Sequence, residues 1–451
     1  MKQAAFRLAG LALAAWAPMA QAAPPVGLLA GAARVSIVPT AGVMKAPFTM
    51  VHDEIFVRTL VVDSGGRRAV MVVADVPMLS PEVSREYIEA IVVAAKVPEA
   101  HVFLSASHTH NTLRLDRKPG GVILPGSAAY VDQVKGALLQ SLEQALARMQ
   151  PARLGLGEGS AALVGAKSSW SAVHGRWIEK IDRSGGQNVS HALGVAKLET
   201  ADGKPLAMIV NYGINPVLAM PLKGQISGDV PGYAARYMEQ RTGNRAVAFF
   251  TLGASGNPLY RADDVQPSGY QAASADELIR AMGTVLGEEA LAVAQSTAAS
   301  DRPLTIAGTL RALECPGKIT VPLNLPDRCA HDEVSALPAC VFKDQDASPV
   351  VLKTGALRLG DLVIMHADAD ISAPVGMKLQ ARSPVAKIWV ASLSYGPMHY
   401  VVQDSDYALN TYEATASTAK QGCAEKSFLA SADLAIHALI DASAPPRGTA
   451  D

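Results

Sequence analysis

The chain has 451 residues, of which 49% are hydrophobic and 18% charged, with a formal net charge of −1. This describes a folded protein with a large core and excludes a disordered chain. The near-neutral charge argues against a nucleic-acid partner, which needs a concentrated basic surface. Aromatics at 5% leave the core to be built from Ala, Val, Leu and Ile.

Lys2 and Arg7 flank the start of an apolar run, Leu8 to Trp16, followed by Pro18 and the small-x-small triplet Ala20-Gln21-Ala22. This pattern predicts a secretory signal peptide over residues 1–22, cleaved after Ala22. The competing reading is a membrane anchor, but the run is well short of the roughly 20 residues that span a bilayer. No Cys sits near the cleavage site to carry a lipid. Without Lys2 and Arg7, 38 basic residues face 41 acidic ones. No later run is long enough to cross a membrane, so the mature chain is expected to be secreted or periplasmic.

Strands and helices interleave along the rest. Residues 55–63 and 69–74 read as a hairpin about Asp63-Ser64-Gly65-Gly66. Residues 81–97 have helical spacing with Ser80 as N-cap, and 101–107 read as a strand. Helices are predicted over 128–149, 233–242, 276–298 and 427–440. Strands are predicted over 206–211, 246–252 and 387–393, with two more around Leu359-Gly360-Asp361 within 355–370. The pattern predicts an α/β fold, mixed β-sheets covered by helices in one large domain over 23–441, with a short tail over 442–451. Of the four cysteines, Cys315, Cys329 and Cys340 share a Pro- and charge-rich segment and Cys423 stands apart. One or two disulfides stapling a loop in that segment are expected, with the pairing open among three arrangements. No CxxC pair supports a structural zinc cluster.

Two segments carry candidate chemistry. Ser105-Ala106-Ser107-His108-Thr109-His110-Asn111 closes an apolar strand. On a continuing strand His108 and His110 share a face, placed to bind a metal or to act as ligand and acid/base; the alternative is a pair of hydrogen-bonded surface histidines. His366-Ala367-Asp368-Ala369-Asp370 ends a second apolar run, so His366, Asp368 and Asp370 share a face if that strand continues. The alternative is a polar loop after Met365. Gly253-Ala254-Ser255-Gly256-Asn257 lacks the last glycine of a nucleophile elbow. Ser417-Thr418-Ala419-Lys420 and Lys353-Thr354-Gly355 stand in the wrong order for a penicillin-recognising enzyme.

The chain resembles the neutral/alkaline non-lysosomal ceramidase family. Ser105 to Asn111 resembles that family's "ATHTHSG", and His52 to Asp63 its "HDPLYARALVLD". Asp202 to Val217 resembles "DGKPLA…NFACHPV", and Ile226 to Tyr233 "ISADFPGY". Phe249 to Pro258 resembles "FLQGAAGDxNP", Leu357 to Leu362 "LRIGDL", and His399 to Thr418 "HYITT…RYExAST". These blocks run in family order over most of the chain. Only the N-terminal catalytic domain is implied, with no room for the family's C-terminal immunoglobulin-like domain.

The resemblance implies hydrolysis of an amide, in the family that of ceramide, by one zinc. Its ligand positions fall on His108, Asn215, Asp370 and Tyr400. Two depart from the family: Asn215 replaces a His and Asp370 a Glu, and Asn is a poor zinc ligand. From its own spacing, His366 is a candidate to supply the missing imidazole. His110 is the candidate for proton transfer. Tyr412 matches a substrate-contacting Tyr, and Lys167 falls near an Arg that faces substrate in the family. Two functions follow. One is an exported metal-dependent amidohydrolase acting on a small-molecule or lipid substrate. The other is a binding protein that has lost its zinc and its activity.

Overall fold

The computed structural model describes residues 27–119, 125–171, 176–182, 189–260, 274–320, 328–331, 338–341, 345–394, 400–409 and 411–441. The expected signal peptide (1–22) and tail (442–451) lie outside them. The first third holds β1 (Leu28–Ser36), β2 (Met50–Val51), β3 (Phe56–Ser64), β4 (Arg67–Ala74), α1 (Pro81–Ala95), β5 (Val102–Ala106) and α2 (Ala128–Ala147). Next come β6 (Gln150–Ser160), β7 (Val164–Ser171), β8 (Arg176–Asp182), β9 (Ala192–Thr200), β10 (Pro205–Tyr212) and β11 (Gln225–Ile226). They are followed by α3 (Asp229–Arg241), β12 (Val247–Leu252), β13 (Pro258–Tyr260) and α4 (Ala275–Ser296). Then follow β14 (Ile306–Lys318), β15 (Arg328–His331), β16 (Pro338–Val341), β17 (Asp346–Leu359), β18 (Leu362–Ala367) and β19 (Asp370–Ile371). The chain closes with α5 (Ala373–Arg382), β20 (Lys387–Ala391), β21 (Tyr400–Val401), α6 (Asp404–Leu409), α7 (Tyr412–Ala416) and α8 (Ala424–Asp441).

An eight-stranded sheet runs β12-β10-β9-β6-β1-β3-β4-β5, and a four-stranded sheet runs β14-β17-β18-β20. Both are mixed: β4–β5, β10–β12 and β18–β20 are parallel, and the other pairs antiparallel. Alternation along the strands assigns the layers. In β3, Val57 and Val61 face the cluster that α1 and α2 cover. Leu60 and Val62 face the opposite way, onto Leu357, Ile364 and Trp389 of the smaller sheet. Helices α3 and α4 cover the β9–β10–β12 side of the large sheet, and α5 and α8 cover the outer face of the small one. Both faces of the central strands are therefore buried, which is why they read as continuous apolar runs.

Helix α1 begins where Ser80 Oγ accepts from Val83 N at 3.3 Å, and it stops at Lys96, which adopts φ 55°. The glycine-rich β6 carries no apolar alternation, and a packing demand explains it. A Cβ on Gly157 would sit 2.3 Å from Thr297 Oγ1 and 2.6 Å from Val293 Cγ1 at the end of α4. Only glycine lets that helix lie so close to the strand.

The expectation of a local cysteine staple is corrected for Cys315. Its disulfide partner is Cys423, 108 residues away, so the bond ties β14 to the start of α8. Cys329 and Cys340 stand directly opposite each other in the β15–β16 ladder.

Candidate active site

Strand ends from the two sheets meet at one edge. Ser105, near the end of β5, bridges to Ser394, which follows β20. The loop after β12 is tied to the other segments: Gly253 N donates to Tyr212 O at 2.9 Å and Gly256 N to Ile371 O at 3.0 Å. Ser392 Oγ donates to Gly253 O at 2.8 Å and accepts from Ile371 N at 3.1 Å.

His108 and His110 come together here, but not as neighbours on a strand. Strand β5 stops at Ala106, and His108 has a left-handed backbone, φ 67°. For a residue other than glycine this conformation is costly and persists only where the surroundings impose it. His108 N donates to Val76 O at 3.0 Å, and its Nδ1 lies 2.8 Å from Pro77 O. A carbonyl only accepts, so Nδ1 carries the proton and Nε2 presents its lone pair. The His110 ring stands nearly perpendicular, with centroids 4.7 Å apart and an Nε2–Nε2 distance of 3.4 Å. Asp370 Oδ2 is 3.8 Å from His108 Nε2, and the other carboxylate oxygen accepts from Ser255 Oγ. His108, Asp370 and Ser255 are buried, and His110 is half-buried.

The segment around His110 is clamped from both sides. Thr109 Oγ1 donates to Ser227 O at 2.6 Å, and Ser227 N donates to Asn111 O at 2.9 Å. Asp53 holds Ser227 in turn, accepting from its Oγ at 2.6 Å, from Gly228 N at 2.9 Å and from Arg236 Nη1 at 3.0 Å. His52 Nδ1 lies 2.8 Å from the same carboxylate.

The other expected residues divide. Tyr400 pairs in register with Asp370 across β19–β21, and its ring meets Tyr412 edge to face at 6.1 Å, with Tyr412 exposed. Asn215 is buried against the post-β12 loop, its N donating to Pro258 O at 3.2 Å. Lys167 lies on β7, and its side chain falls outside the described residues. His366 is placed elsewhere. Strand β18 ends at Ala367, and Asp368 folds back to accept from Lys353 N at 2.9 Å, so His366 and Asp370 do not continue one face. The His366 ring follows Leu362 and Ile364 into the core between the sheets, edge-on to Phe103 at 5.5 Å and against Gly355. Burial pushes its pKa down to about 3, so it is neutral there. Asp368 is pushed up to about 7, chiefly by burial.

A divalent cation is what the fold family implies, and the donors can be tested for it. Among the described residues no three of His, Cys, Asp and Glu group as a metal centre. His108 and Asp370 are strong donors, and further positions would fall to the weaker oxygens of Asn215 and Tyr400. Asn215 Oδ1 is buried with no hydrogen-bond partner among the described residues, as are Ser107 Oγ, Ser372 Oγ and Ser394 Oγ. Buried polar atoms are ordinarily satisfied, so unmet acceptors at these strand ends fit a polar ligand or ion. The donor chemistry therefore accommodates a cation, with more oxygen and less imidazole than zinc favours.

Two participants were not chosen from sequence. Ser255 was set aside because the elbow motif fails, yet its Oγ anchors Asp370. Asp53 showed only as part of a resembling block, and its role depends on contacts across 174 residues.

These features define a mixed α/β fold of two packed sheets with its candidate site at the strand ends. Residues 45–257 match the family described as neutral/alkaline non-lysosomal ceramidase, N-terminal. The fold is similar to neutral ceramidase from Pseudomonas aeruginosa, with TM-score 0.71 and 18% identity, over 91% of this chain and 74% of that one. It is also similar to a ceramidase complexed with C2, with TM-score 0.74 and 16% identity, over 94% and 78% of the two chains. Among the described residues, no helix is long and apolar enough to cross a membrane.

Proposed function

We propose that this protein is a ceramidase-type hydrolase that cleaves an N-acyl amide, or a related ester, of a lipid-like substrate met outside the cytoplasm. The observation that carries the reading is the convergence of His108, His110, Asp370 and Ser255 within a domain of this family. The sequence of residues 1–22 supports export, and secreted or periplasmic action is part of the proposal.

Pro77 fixes the His108 tautomer, so its Nε2 lone pair faces the reaction space. His110 is positioned to take a proton from water as the water oxygen bonds to the carbonyl carbon. It returns a proton to the leaving nitrogen as the C–N bond breaks, and the products are a carboxylic acid and an amine. Asp370, fixed by Ser255, holds negative charge beside the two imidazoles as His110 takes up the proton. His108 and Asp370, supplemented by Asn215 and Tyr400, would hold a divalent cation. Such an ion supplies Lewis acidity toward a carbonyl and toward water. Tyr412 and Lys167 are proposed substrate contacts, Tyr412 from the rim where its ring meets Tyr400. A binding protein without turnover is not favoured, because the proton-transfer pair is intact.

Hydrolysis of fluorogenic N-acyl amides and esters, with and without added zinc, tests this reading. His110→Ala is expected to lower turnover by about 10²–10⁴-fold. Turnover unchanged by this substitution overturns the assignment.

A further inference from the structure

A cavity lies at the opposite end of the large sheet, where β6, β10 and β12 begin rather than end. The eight residues of β10, at about 3.3 Å each, separate it from the His108 site by roughly 25 Å. It encloses about 340 Å³ and is lined by Arg34, Arg148 and Arg245, with Gln144, Asn244 and Thr200 among the polar groups around them. No Asp or Glu lines it among the described residues.

Two of the three guanidinium groups, those of Arg148 and Arg245, have no ion pair among the described residues. Arg34 pairs with Glu239, which also receives Arg58 Nε at 3.4 Å and Ala248 N at 3.1 Å, while Arg58 is held chiefly by Asp75 at 2.6 Å. Among the described residues Arg148 meets neutral acceptors, Gln144 Oε1 at 3.4 Å and Ala32 O at 3.5 Å. Arg245 has no ion-pair partner among the described residues and lies over Gly243. The Arg34 pKa is lowered, first by burial and then by the neighbouring Arg58.

We propose that this cavity binds a phosphate group, with Arg148 and Arg245 supplying charged donors and Arg34 closing the inner wall. Planar guanidinium forks match phosphate oxygens two at a time, and a multiply charged oxyanion supplies the counter-charge that Arg148 and Arg245 lack among the described residues. The phosphate belongs either to a soluble ester or to an anionic lipid headgroup. The proposal does not depend on the hydrolase reading, since none of its residues belongs to that site.

Calorimetric titration of the full chain with glycerol phosphate, beside cosedimentation with phosphatidylglycerol or phosphatidylcholine vesicles, tests it. The comparison protein is the double variant Arg148→Gln, Arg245→Gln; both residues are exposed, so the fold is retained. Loss of charged hydrogen bonds is expected to weaken binding by about ten- to a hundredfold. Variant-sensitive binding of glycerol phosphate alone identifies a soluble ester. Variant-sensitive binding to phosphatidylglycerol vesicles, weaker on phosphatidylcholine, identifies the headgroup. Either result supports the proposal. No binding to any probe, or binding that the double variant retains in full, overturns it.

Discussion

His366 makes the protein acid-labile in a way that can be calculated. Its ring is fully buried beside Phe103, and its pKa falls from 6.5 to about 3. In the unfolded chain the imidazole protonates below about pH 6.5, whereas in the folded chain it stays neutral until about pH 3. Between those values the unfolded state binds more protons, so stability is full above the unfolded pKa and falls as pH drops. At about 1.4 kcal/mol per pH unit, the loss by pH 4.5 is roughly 3 kcal/mol. His366→Leu, similar in volume and unable to protonate, removes this contribution. The opposing shifts of Asp368 and Asp406, both raised to about 7 chiefly by burial, are common to both proteins and cancel. Urea unfolding of wild type and variant at pH 7.5 and 4.5 reads the difference. Wild type is expected to lose about 3 kcal/mol more than the variant across that interval. Parallel losses in the two proteins refute the reasoning and remove His366 from the core.

Asp53→Asn weakens the four-donor clamp on Ser227 and loosens the segment carrying His110, so kcat is expected to fall about ten- to a hundredfold with the fold intact. Kinetics with circular dichroism check this. Cys423→Ser opens a 108-residue loop and is expected to cost roughly 4–5 kcal/mol, seen as a lower thermal midpoint under non-reducing conditions. Gly157→Ala is expected to destabilise by about 1–3 kcal/mol through contact with α4. Gly136→Ala, in open space on α2, is expected to stabilise by about 0.5–1 kcal/mol; urea midpoints distinguish the signs.

Local periodicity carried much of the fold. The β3–β4 hairpin and α1, with its Ser80 cap, were readable because pattern, turn and cap residues agree. Strand β6 was not, because glycines stand where apolar residues would mark a strand, and their cause is the approach of a distant helix. His108 and His110 were found as a pair for a geometric reason that does not hold. A left-handed residue after the strand, rather than strand alternation, turns the two rings together. Asp370 was legible from its place after an apolar run, but the end of β18 at Ala367 separates it from His366, and sequence spacing carries no sign of that break. Ser255 and Asp53 act through long-range hydrogen bonds, which leave no local pattern to read.

The central claim is that the His108 cluster, and not the buried His366, hydrolyses an N-acyl bond. Release of fatty acid from an N-acylsphingosine in detergent micelles, measured with added divalent cations, tests it most directly. Wild type and His366→Leu are expected to release fatty acid at similar rates, while His108→Ala, folded by circular dichroism, does not. No release by wild type with any cation, or undiminished release by His108→Ala, contradicts the account.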